Sequence, residues 1–184
     1  MGQQTVTANG IDMPILRDTI ENIKRQPDLA KSKFHAHNKW ISGGHSRTTI
    51  SDFYSAGRDI SHDEMFVLDA DEPHVLGGSE KGPNPVQHLL NALAACLTGS
   101  MVYHAAMRGI HIEELESHIE GELDLQGFTG LSDEVRNGYE NIRISFKVKS
   151  DTDDIDKLRE CATFSPVFDV VSHGTEVDIE VSPA

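Results

Sequence analysis

Most of this chain alternates apolar and polar positions with a period of two, and one segment abandons the pattern. In KFHAHNKW, Phe34, Ala36, Asn38 and Trp40 alternate with Lys33, His35, His37 and Lys39. A Ser-Gly-Gly turn leads into HSRTTISDFY, so a hairpin is expected here. EMFVLDADEP reads as a third strand that ends at Pro73. SHIEGELDL sets Ile119, Gly121, Leu123 and Leu125 on one face, and NIRISFKV does the same with Ile142, Ile144, Phe146 and Val148. TEVDIEVS, with Val177, Ile179 and Val181, is expected to be the last strand.

The exception is LLNALAACLTGSMVYHAAM, Leu89 to Met107, apolar on nearly every face and carrying one thiol, Cys96. Asn84-Pro85 before it reads as an N-cap followed by proline at the first helical position, and Arg108-Gly109 as the last turn and its stop. A helix from Pro85 to Arg108 is therefore expected. Its length would suit a bilayer, but Asn91, Thr98, Ser100 and His104 fit poorly against lipid, and no second such run exists. A central helix of a packed domain is the better reading. Ala92, Ala94, Ala95 and Gly99 keep its middle thin, so another backbone can approach where Cys96 sits.

Two shorter helices are expected near the C-terminus. DTDDIDKLRECATF carries acidic residues in its first turn and turns Ile155, Leu158 and Ala162 inward. SPVFDVVSHG begins with Ser165 as cap and Pro166 at its first position, and stops at Gly174. Near the N-terminus, IDMPILRDTIENIKRQPDLA is an amphipathic helix with Ile15, Thr19, Ile20 and Ile23 on one side, ended by Pro27. Residues 1–33 are read as an N-terminal helical extension and residues 34–184 as the main domain, of the α+β class.

Composition removes several function classes. With 184 residues, 38% apolar and 25% charged, the chain has the make-up of a soluble globular domain. A net charge of −14 argues against nucleic acid or an anionic membrane surface as partner. Two cysteines are no disulfide scaffold, and MGQQTVTANG lacks the features of a secretory signal, so a reducing, cytoplasmic setting is expected. Gly2 lacks the basic neighbours that would support an acyl anchor. His35 and His37 share one side of a strand, but no further ligands stand at a metal-site spacing, so no metal or cofactor is expected. GGSEKG lacks the lysine and hydroxyl ending of a phosphate loop. His104, two turns beyond Cys96, is too distant to act as its general base.

Three stretches, DADEPHVLGGSEKGPNPVQHLLNALAACLTGS, HIEGELDLQGF and SPVFDVVSHGTEVDIEV, together resemble the OsmC/Ohr family of osmotically inducible and organic hydroperoxide resistance proteins. The resemblance runs from about Phe34 to Val181. It implies an intertwined homodimer with antiparallel sheets around long central helices. It also implies a thiol-dependent peroxidase that reduces small apolar hydroperoxides through a central-helix thiol, at the position of Cys96, and is reset by an external dithiol.

Helix geometry adds a requirement. Cys96 is about three turns from the helix start, beyond the reach of the helix dipole, so a cation must be brought to it for the sulfur to react as a thiolate. The chain departs from its relatives in three places. Val86 stands where they carry the glutamate that holds the activating arginine. His45 follows Gly43-Gly44 where they have that arginine, leaving Arg47 as the candidate. Ser165 stands where they have a second cysteine, leaving Cys161, one turn earlier, as the candidate resolving thiol. The alternative is a relative without peroxidase activity that binds a small apolar ligand in the cleft over Cys96.

Overall fold

A computed structural model describes residues 6–183 of the protein, so Gly2 lies outside the described residues. The chain forms two compact units, one up to Leu89 and one from Leu90 onward.

The first unit opens with two short paired strands, β1 (Thr7–Ala8) and β2 (Ile11–Asp12), and helix α1 (Met13–Arg25). Asp12 caps α1 by accepting a hydrogen bond from the Ile15 backbone N–H, and a single 3-10 turn, Pro27–Ala30, follows. The covered face of α1 is Met13, Leu16, Ile20 and Ile23; Ile15 and Thr19, expected inward, are exposed. The helix begins at Met13, two residues after the apolar pattern starts, and its inward stripe is set by Met13.

The sheet of this unit holds β3 (Lys33–Phe34), β4 (His37–Ser42), β5 (His45–Ser55) and β6 (Arg58–Ala70), all antiparallel. The expected first strand is thus two pieces, separated at His35-Ala36, and both lie along one edge of the long β5. β6 pairs with the other edge. Its register slips between Ile50 and Asp52, so that Asp52 faces Ser61 while Ile50 faces Phe66.

From β6 the chain enters a loop organised around one carboxylate. Asp71 is 2% exposed and accepts backbone N–H groups from Glu72, Ser79 and Lys81 at 2.8, 3.1 and 3.2 Å. Burial works to raise its pKa, but these three donors outweigh it and hold the carboxyl below the usual range. Two glycines allow the loop to close this tightly. A Cβ on Gly78 would stand 1.7 Å from the Glu72 carbonyl oxygen, and one on Gly82 would stand 2.1 Å from that of Asp69.

The loop delivers the chain into helix α2 (Pro85–Met107) with a reciprocal cap. Gln87 N–H donates to the Asn84 side chain at 2.9 Å, and Asn84 N–H donates to the Gln87 side chain at 3.0 Å. The expected stop is present: Gly109 has φ 72°, and Ile110 N–H reaches back to the Ala105 carbonyl.

In the second unit, β7 (Ile112–Glu122) pairs with β8 (Asn141–Ser150), and a short helix α3 (Leu125–Phe128) lies between them. Leu125, expected on the β7 face, belongs to α3 instead, because Asp124 caps a new helical turn. Helices α4 (Ile155–Ala162) and α5 (Pro166–His173) follow, capped by Asp154 and Ser165. The core packs Leu93, Leu97 and Met101 of α2 with Cys161 and Ala162 of α4, against apolar residues of β7, β8 and α5. Ile155, expected inward, is 59% exposed, and Cys161 takes the inward place with Leu158 and Ala162.

The expected last strand is not formed. Among the described residues after Gly174 there is no regular structure, and Val177, Ile179 and Val181 are 75%, 85% and 93% exposed. Its alternation is intact, but a strand exists only when another edge pairs with it.

The loop geometry sets a prediction. Gly78→Ala forces a side chain into the backbone of Glu72 and should cost about 2 kcal/mol of stability. It would appear as a lower denaturant midpoint at unchanged slope.

Candidate active site

The two thiols lie in the second unit and Arg47 in the first. Both cysteines are free. Cys96 sits on α2, partly exposed, on a different face from Leu93, Leu97 and Met101. The residues around it are small: Asn91, Ala92 and Ala95 are exposed, and nothing lies within 4 Å of a Cβ placed on Gly99. The thiol is therefore presented on a thin, open face, as its neighbours predict.

Cys161 is wholly buried. Its sulfur accepts a hydrogen bond from Arg108 Nη1 at 3.2 Å. Arg108 Nη2 donates to Glu160 Oε1 at 2.7 Å, and the guanidinium lies 5.7 Å from the centre of the Phe164 ring. His104 also stacks on Phe164, the ring centres 3.9 Å apart and the planes inclined by 15°. The Glu160 hydrogen bond is the main reason Arg108 is held above its usual pKa, and the Cys161 sulfur adds to it. Burial, with a smaller effect from Arg108, lowers the pKa of His104.

The sequence names Cys161 as a candidate but gives no sign of its partner. Arg108 reads from sequence only as a helix-end residue. It lies twelve residues beyond Cys96, about 18 Å along the axis and turned by about 120°. The cation that meets Cys161 thus comes from the C-terminal end of α2, while the Cys161 side chain packs in the core with Leu93, Leu97 and Met101.

In the first unit, Arg47 is held by Asp69, a residue that no local pattern in the sequence links to it. β5 and β6 place Arg47 directly opposite Asp69. The guanidinium forks onto that carboxylate, Nε to Oδ1 at 2.9 Å and Nη2 to Oδ2 at 3.0 Å. His45 Nε2 donates to the same Oδ1 at 2.8 Å. Arg47, and after it His45, pulls the Asp69 carboxyl down to a pKa of about 2. His88, in the first turn of α2, donates to the Asp69 backbone carbonyl at 3.1 Å, tying this cluster to the helix start. Within the segment DADE, Asp69 holds the arginine and Asp71 holds the loop.

An apolar hollow of about 490 Å³ lies in the second unit, lined by Leu97, Met101, Phe146, Leu158 and Phe168 among others. Cys96 is not among its lining residues. Among the described residues no group of three or more His, Cys, Asp or Glu side chains is arranged to hold a metal ion.

The OsmC-like protein family model matches residues 78–180, more than half of the chain. Among solved structures, the chain is similar to an OsmC-like protein from Mycoplasma pneumoniae at 19% identity and a TM-score of 0.55. That match covers 77% of this chain and 88% of the other. It is similar to an organic hydroperoxide resistance protein OsmC from Legionella pneumophila at 19% identity and 0.54, over 77% and 90% of the two chains. A third, an OsmC-like protein of unknown function from Vibrio cholerae, matches at 14% identity and 0.52, over 76% and 93%. At these identities the likeness is one of fold. No curated protein matches the sequence.

The electrostatics of Asp69 and Asp71 carry a prediction with a definite sign. Both carboxyls titrate lower in the folded chain than unfolded, so their contribution to stability is fully present above about pH 4. It is lost as pH falls toward 2. Asp69→Asn should flatten the fall in stability over that window, measured as the denaturant midpoint against pH.

Proposed function

Because the chain belongs to the OsmC-like protein family, we propose that it is a thiol-dependent peroxidase for small apolar organic hydroperoxides, working as a cytoplasmic homodimer. The observation that carries this reading is Cys96 itself, a free thiol on the open, small-residue face of a long apolar helix. Residues 34–184 form the family domain, and residues 1–33 extend it.

The thiolate of Cys96 attacks the outer oxygen of the hydroperoxide. The O–O bond breaks, the alcohol leaves with a proton, and Cys96 becomes a sulfenic acid. Cys161 then attacks the sulfenic sulfur, hydroxide departs and is protonated to water, and a disulfide remains. An external dithiol returns two electrons and two protons.

Arg47 is the cation that activates Cys96 in the assembled dimer. Val86 cannot hold it as the glutamate of relatives does, and Asp69 supplies the missing carboxylate from the neighbouring strand. A fork onto one carboxylate fixes the guanidinium while leaving Nη1 to reach a developing negative charge.

The exposure of the single chain supports the dimer. Met65, Phe66, Val67 and Leu68 of β6 are consecutive and between 44% and 57% exposed, so apolar side chains stand open on both faces of one strand. Leu89, Tyr103 and Met107 of α2 are 39%, 47% and 42% exposed. Strands and helices of this composition are normally covered on every side. The apolar hollow beside α4 favours a second reading, in which the protein binds a small apolar ligand without turning over peroxide.

Light scattering at micromolar concentration should give a particle of two 20.3 kDa chains. A monomer mass would remove the assembly on which the site depends. After one equivalent of an alkyl hydroperoxide, Cys161→Ser should trap a sulfenic acid on Cys96, and Cys96→Ser should leave Cys161 reduced. Mass spectrometry showing Cys161 oxidised without Cys96 would reverse the roles. Arg47→Ala should slow peroxide consumption by about tenfold or more, the effect of removing one charge-assisted hydrogen bond. Binding of a hydroperoxide without any alcohol produced selects the ligand-binding reading.

A further inference from the structure

The Arg108 cluster is unlike the surroundings of a cysteine that merely fills a core. Such a sulfur lies among aliphatic groups, and Cys161 does belong to an apolar core, the cluster it forms with Leu93, Leu97 and Met101 of α2 and Ala162, against which apolar residues of β7, β8 and α5 pack. Yet a guanidinium also aims an N–H at it from 3.2 Å. A neutral thiol is a weak acceptor, and nothing in plain packing calls for a permanent cation to be held against one. The guanidinium is also held by two groups, Glu160 at 2.7 Å and the Phe164 ring, on which His104 also stacks. The charged and titratable groups that meet this sulfur are thus Arg108 directly, Glu160 through Arg108, and His104 behind Phe164.

We infer that Arg108 is a positioning residue that makes Cys161 a nucleophilic sulfur, by stabilising the negative charge the sulfur carries as it attacks an oxidised sulfur. A charge in a setting from which water is excluded gains far more from a cation at hydrogen-bond distance than it would in water. Burial shapes what the sulfur reacts with. Arg108 is 27% exposed on its side chain and Cys161 is wholly covered, so bulky peroxides are kept from a thiol reserved for a sulfur electrophile delivered to it. The inference rests on the peroxidase reading only for the identity of that electrophile, the sulfenic acid on Cys96.

The test removes Cys96 and peroxide altogether, so that it succeeds or fails separately from that reading. In Cys96→Ser, Cys161 is reacted with methyl methanethiosulfonate, a small neutral probe. The cysteine sulfur attacks the probe's sulfenyl sulfur, a new S–S bond forms, methanesulfinate leaves, and the thiol proton passes to solvent. Two roles for Arg108 predict opposite signs. If it only covers the sulfur, Arg108→Gln opens the site and the reaction speeds up. If it stabilises the attacking charge, the same variant slows the reaction by about tenfold or more, despite the easier access. Arg108→Lys, which keeps the charge and loses the fork, should recover most of the rate. Far-UV circular dichroism and a cooperative melt verify that each variant is folded. Should Arg108→Gln not fold, the comparison is read between Arg108→Lys and Arg108→Met, the latter neutral and of similar bulk, with Met expected slower by the same factor. An equal or faster reaction in the neutral variant overturns the inference, as does a parent sulfur that the probe never modifies in the folded chain.

Discussion

One packed face of α2 organises the second unit. Leu93, Leu97 and Met101 recur every four residues and press on apolar side chains of β7, β8 and α5, with Cys161 and Ala162 filling the space between. Each fully buried side chain of this kind contributes on the order of 1.5–3 kcal/mol from the apolar surface it removes from water. That stripe settles which residues of α4 turn inward and which side of α2 is left for Cys96. Had the helix been packed on its small-residue face, the thiol would lie in the core. Because the large residues take the core, Asn91, Ala92, Ala95 and the thiol remain on the open side.

Both arginines that matter are immobilised by a carboxylate from another segment of chain. Asp69 holds Arg47 across a strand pair, and Glu160 holds Arg108 across the gap between α2 and α4. Pairs as exposed as these add little to stability, since water screens them and ordering long side chains costs entropy. Their effect is positional. A guanidinium fixed on one side presents its remaining N–H groups, and its charge, in a known direction.

The single chain also leaves edges and faces open in a consistent way. β6 shows four successive apolar residues, its outer edge is unpaired among the described strands, and the segment after Gly174 keeps a strand's alternation with nothing beside it. An open edge with apolar side chains invites pairing with another chain, and proteins that leave such edges uncovered tend to aggregate.

Local chemistry was legible in the sequence wherever the deciding contacts are local. Asn84-Pro85, Arg108-Gly109, and Ser165-Pro166 with Gly174 marked helix boundaries correctly, because a cap is made by residues a few positions apart. The first hairpin, the long apolar helix and Cys96 on its thin face were legible for the same reason. Arg47 and Asp69 were not. The register next to the β5–β6 turn pairs Asp52 with Ser61, and continued unbroken it would set Arg47 against Phe66; the slip after Ile50 brings Asp69 there instead. Arg108 against Cys161 joins positions 53 apart, and only the packing of α4 on α2 decides it. A strand needs an edge as well as a pattern, so TEVDIEVS remained a pattern. Sequence determined what each segment can form and which sulfur is displayed; tertiary structure decided which cation each charge meets, because that depends on register and packing between segments that have no local reason to find one another.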